Sequence, residues 1–127
     1  MSTDLAAVEA RLRSIFDPYR ARLTVAREGP DGIYLEWPGH EGSPWGYVGG
    51  TRLGKRYVSF YLMAASTGDL EGLISDALQK RRQGKSCFNF TTIDDPLLAE
   101  LEALTARAIE AQPGLIERAS SRHPARS

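Results

Sequence analysis

Residues 56–63 read RYVSFYLM, and this octapeptide decides how the chain must fold. Five of its members, Tyr57, Val58, Phe60, Tyr61 and Leu62, are aromatic, β-branched or aliphatic, the side chains that fit a pleated surface. In a strand, alternate residues face opposite ways. Tyr57, Ser59, Tyr61 and Met63 therefore share one side, and Val58, Phe60 and Leu62 the other. Only one side can meet a helical layer, and the wholly apolar trio suits it. The tyrosines are then expected on the face that the helices leave open.

Working outward, residues 45–53 pair with residues 56–63 through a turn at Gly54-Lys55, and the latter strand is expected centrally. Upstream, the segment PGHEGSP at 38–44 holds two prolines and two glycines and reads as a loop. Before it, residues 23–27 and 33–37 alternate around Gly29-Pro30-Asp31-Gly32, a hairpin signal. Leu5, Val8, Leu12, Ile15, Phe16 and Tyr19 recur at helical spacing behind Ser2-Thr3-Asp4, predicting a helix over about 3–16 that stops near Pro18.

Downstream, Thr67 or Asp69 opens a predicted second helix with Leu70, Leu73, Ile74, Ala77 and Leu78 as its stripe and Gly84 as its left-handed stop. Residues 86–90 form a short strand. Asp94-Asp95-Pro96 then starts a third helix, which Gln112-Pro113-Gly114 is expected to end. The pattern implies one α+β domain over 1–114, in the order α-β-β-β-β-α-β-α, with a frayed tail over 115–127. Hairpin-linked strands and separate helices predict a two-layer sandwich, an antiparallel five-stranded sheet with helices on one face.

Composition removes several function classes. At 127 residues with 42% hydrophobic and 25% charged side chains, the chain can bury a core without disulfide or metal staples. Sixteen basic residues balance sixteen acidic ones, so no global field favours nucleic acid or anionic membrane, and nucleic acid is not the expected partner. A single cysteine cannot close an intramolecular disulfide, and no apolar run approaches a membrane span. The expected setting is cytoplasmic, without membrane association.

The motifs favour architecture over catalysis. Gly84-Lys85-Ser86 resembles the end of a phosphate loop, but that loop needs a glycine where Gln79 stands and must lead from strand to helix. Here it leads from helix to strand. Cys87 as a nucleophile needs a base, and the two histidines, His40 and His123, lie in a loop and in the tail. Asp94-Asp95 caps a helix, and His40-Glu41 lacks the second histidine of a zinc helix. No catalytic residue, metal site or cofactor is expected.

Charge is unevenly placed nonetheless. Between Arg52 and Lys85 seven basic residues face three acidic ones, a local +4 that the rest of the chain balances with −4. Arg52, Lys55, Arg56 and Lys85 form a candidate cationic rim beside Tyr57 and Tyr61, and these six residues are the candidate ligand- or partner-binding surface. Tyr47 and Trp45 are candidates to extend its ring area.

KRYVSFYLM, an Asp-Leu helix, RRQGKSCFNF and DDPLLAELEAL together resemble the YdhG-like family of small bacterial domains of unknown function, over residues 45–111. The resemblance implies a compact α+β domain with an antiparallel sheet and points to Lys85 for testing. Some relatives carry a frataxin-like iron-chaperone label, which implies an acidic ridge on the first helix; here Asp4 and Glu9 alternate with Arg11 and Arg13. The expected function is non-enzymatic binding of a small anionic ligand or a partner, with a homodimer expected. The alternative is an enzyme acting on a small anionic metabolite, with Tyr57 or Tyr61 as acid and Arg56 or Lys85 as clamp, and single-stranded RNA binding by stacked tyrosines and arginines ranks third.

Overall fold

A computed structural model describes residues 4–66, 70, 72–84 and 86–121. Five antiparallel strands lie side by side in chain order: β1 (Thr24–Gly29), β2 (Gly32–Glu36), β3 (Tyr47–Leu53), β4 (Val58–Leu62) and β5 (Cys87–Phe90). Helix α1 (Leu5–Arg13), the short α2 (Asp76–Gln79) and the long α3 (Asp95–Ser121) complete an α+β fold. Its apolar core includes Leu12 and Phe16 from the N-terminal helical segment, Leu35, Phe60 and Phe88 from the sheet, and Leu98, Leu101 and Ile109 from α3.

The RYVSFYLM strand behaves as its alternation requires. Val58, Phe60 and Leu62 are fully buried, and the Phe60 ring stacks on Phe16 at 4.9 Å with planes 5° apart. Tyr57 is exposed and Tyr61 half-buried on the other side. β4 is bonded on both flanks, although β3 is the middle strand. Gly49 on β3 lets the Phe16 ring close in, since an added Cβ would stand 2.3 Å from the Tyr61 carbonyl oxygen and 3.1 Å from that ring.

Helix α1 is capped by Asp4, whose carboxylate accepts from the Ala7 amide at 3.2 Å. It tightens into a 3-10 segment over Ser14–Arg22 rather than running on to residue 16. Ser14 supplies a reason: its hydroxyl donates to the Arg11 carbonyl at 2.6 Å and competes for a helical acceptor. Buried Glu9 then ties the layers together, accepting from Thr51 of β3 at 2.6 Å and from Arg13 at 2.7 and 2.8 Å.

The other two helices depart from expectation as well. Thr67, Asp69 and Glu71 lie outside the described residues, and residues 72–75 are turn rather than helix, leaving Leu73 exposed while Leu70, Ile74 and Leu78 are buried. Gly72 weakens helix propagation. Ser75 restarts the helix, its extended backbone and its hydroxyl capping Leu78 at 3.2 Å while Glu100 of α3 takes both its amide and its hydroxyl.

Nor does α3 stop at Gln112-Pro113-Gly114. It continues to Ser121, so residues 115–121 are helical rather than a frayed tail. Tertiary anchors outweigh the proline. The Gln112 amide, itself buried, donates to the carbonyls of Trp45 and Tyr47 at 2.7 and 3.2 Å, and Ile116 beyond the proline is buried.

Candidate binding face

Cross-strand register fixes which side chains share the sheet's helix-free face. One row runs Arg52, Ser59, Asn89 across β3, β4 and β5; the next runs Arg27, Tyr34, Gly50, Tyr61, Cys87 across all five strands. Tyr47 joins them through a bulge between Tyr47 and Gly49, which oppose the adjacent residues Glu36 and Leu35. Its ring lies 4.6 Å from that of Tyr34. Between Tyr34 and Tyr61 stands the buried Gly50, where a Cβ would lie 2.0 Å from the Ile33 carbonyl oxygen.

Two broad, open concavities of about 820 and 800 Å³ occupy this face and share Arg52 and Tyr61. The first is walled by Arg27, Tyr34, Tyr47 and Asp31. The second gathers Arg52, Lys55, Arg56, Tyr57 and Tyr61, five of the six candidate residues, around the turn closed by the Gly54 amide on the Tyr57 carbonyl at 3.0 Å. Lys85, the sixth, lies outside the described residues. A smaller hollow of about 400 Å³ continues from Tyr57 to Lys80, Arg81 and Asn89.

The electrostatic division between the two sides of the molecule is sharp. Arg11 pairs with Glu102, Arg13 with Glu9 and Glu28, and Arg20 with Asp17 and Glu28. By contrast, the side chains of Arg27, Arg52, Lys55, Arg56, Lys80 and Arg81 have no ion pair or hydrogen bond among the described residues. Cations left without carboxylates beside tyrosine rings can hold an anion, and the rings can hold something flat.

The neighbouring polar groups are poor reactive candidates. Burial pushes the Cys87 thiol up, against opposing hydrogen bonds from Ser59 and Tyr61, so the thiolate is disfavoured. Its Sγ lies 3.5 Å from the Asn89 amide oxygen, which also accepts from the Ser59 hydroxyl at 2.9 Å, while the Asn89 amide nitrogen donates to Gln83. Burial, with Tyr34, Tyr61 and Cys87 nearby, also raises the Tyr47 phenol, which keeps its proton as a donor. No group of three or more His, Cys, Asp or Glu side chains among the described residues could hold a metal ion.

Gly84 adopts the left-handed conformation expected of it, with φ 77°. The Gly-Lys-Ser triplet follows not a long helix but an irregular arm, where the Gln83 amide donates to Cys87 and the Asn89 amide to Arg81 at 2.8 and 2.7 Å. Sequence reasoning omitted Arg27 and Tyr34, although the two-residue turn Pro30-Asp31 fixes both by register. Trp45 does not line these concavities. Comparison with protein-family models, with curated proteins and with solved structures finds no match for this chain.

Proposed function

We propose that this chain is a non-enzymatic binding domain whose helix-free sheet face takes an anionic ligand, in a cytoplasmic setting. The observation that carries the reading is the gathering of Arg52, Lys55 and Arg56, without ion pairs among the described residues, with Tyr57 and Tyr61 around one concavity. A phosphate or carboxylate would meet several donors there beside tyrosine rings. Kinship with the YdhG-like domains belongs to the same proposal and rests on the sequence resemblance over residues 45–111.

The enzymatic alternative, with Tyr57 or Tyr61 as acid, gains nothing from the reactive groups beside it: the Tyr47 phenol is moved away from neutral pH and the Cys87 thiolate is disfavoured. A homodimer through this face would set its unpaired cations against their own copies, a costly juxtaposition unless an anion lies between. Calorimetric titration with inorganic pyrophosphate tests the assignment. Binding that falls at least tenfold in R52A/R56A supports it; affinity unchanged in that variant, or no binding at low salt, overturns it.

A further inference from the structure

The cations are spread along the face rather than clustered at one point. The three concavities join end to end through Arg52 and Tyr61, then through Tyr57. They follow a sheet five strands wide, which at about 4.8 Å per strand spacing measures roughly 19 Å from the first strand axis to the last. A lone phosphate needs one such cluster. A track of unpaired cations interleaved with rings suits a chain of repeated phosphates carrying flat groups.

We propose that the face binds single-stranded nucleic acid, a reading that deepens the anion-binding assignment and rests on it. Tyr34 is 37% exposed beside Tyr47, and Tyr61 stands two strands away in the same cross-strand row, with only the side-chain-less Gly50 between them. An unpaired base stacks there on the Tyr34 ring, as bases do on aromatic platforms. Arg27 and Arg52 flank the stack and take the adjoining phosphates, while Lys55 and Arg56 extend the path. An acidic peptide would satisfy the cations but offer no regular succession of rings. A duplex hides its base faces in its own stack.

The balanced total charge, which disfavours nucleic acid in the sequence, loses that meaning once the charges are located. Arginines on the helical side are paired with carboxylates, whereas the second concavity gathers Arg52, Lys55 and Arg56 with no carboxylate in its lining, and the first sets Arg27 and Arg52 against Glu28 and Asp31.

Fluorescence anisotropy with a fluorescein-labelled octauridine RNA, its duplex with octaadenosine and unlabelled pyrophosphate as competitor tests the proposal. The single strand is expected to bind, with a logarithmic salt slope of about −3 if four phosphates are neutralised at about 0.7 each. Arg27→Ala and Arg52→Ala should each flatten the slope by about 0.7. Tyr34→Ala should weaken binding by about 5- to 150-fold, and Tyr34→Phe should preserve it, since stacking needs only the ring. Tyr34 is a surface residue, and matched thermal unfolding of all variants verifies folding. No binding at low salt, equal affinity for duplex, or indifference to Tyr34→Ala overturns the proposal. If pyrophosphate binds through Arg52 and Arg56 while RNA does not, the anion-binding assignment survives and this extension fails. If neither binds, both fail.

Discussion

Truncating Phe60 should cost several times more stability than truncating its neighbour Tyr61, because one side chain lies in the core and the other on the open face. Phe60 is fully buried and stacked on Phe16 at 4.9 Å, so Phe60→Ala removes transfer energy and leaves a cavity, about 3–5 kcal/mol. Unfolding entropy of about 2.1 cal/mol/K per residue gives a chain of 127 residues roughly 0.27 kcal/mol/K, so the melting temperature should fall by about 11–19 °C. Tyr61 is half-buried with its ring at the edge of both concavities. Tyr61→Ala should cost about 1 kcal/mol, or roughly 4 °C. Thermal unfolding followed by far-ultraviolet circular dichroism measures both. A larger loss from Tyr61→Ala than from Phe60→Ala would refute the inward placement of Val58, Phe60 and Leu62 and, with it, the open tyrosine face.

Other outcomes follow from the same contacts. Glu9→Ala strips the partly buried Arg13 and the buried Thr51 hydroxyl of their acceptor and should lower unfolding free energy in urea by about 3 kcal/mol. Hydrogen bonds from Arg20, then from Arg13, hold the Glu28 carboxyl at about 2, below its ordinary 4.5. A carboxyl that is more acidic folded than unfolded adds stability above pH 4.5 that fades as pH falls toward 2, so Glu28→Gln should flatten that part of the pH profile of melting temperature. Gln112→Ala leaves the Trp45 and Tyr47 carbonyls without this donor and should cost about 1–3 kcal/mol by urea unfolding. Gly50→Ala forces a methyl within 2.0 Å of a backbone oxygen and should destabilise the sheet far more than a surface substitution, read as a lowered melting temperature.

The sheet was legible because its signals are local. Alternation in RYVSFYLM, the Gly29–Gly32 turn and the Gly54-Lys55 turn each need only a few neighbours, and the described strands follow them closely. Helix limits were not legible, since they depend on distant partners. Ser75 is held by Glu100 from another helix, and Gln112 carries α3 past Pro113 by bonding a loop more than sixty residues away in sequence. The same division applies to the site. Arg52, Lys55, Arg56, Tyr57 and Tyr61 stand together as their spacing implies. Tyr47 reaches that face only because a bulge reverses strict alternation counted back from Arg52, and no residue in that stretch announces a bulge.

Backbone amide shifts recorded by nuclear magnetic resonance during a pyrophosphate titration test the anion-binding face most directly. The largest changes are expected at Arg52, Gly54, Lys55, Arg56 and Tyr57, with Arg11, Arg13 and Arg20 unmoved because carboxylates already occupy them. Changes concentrated on the helical side, or a spectrum that does not move at all, would contradict it.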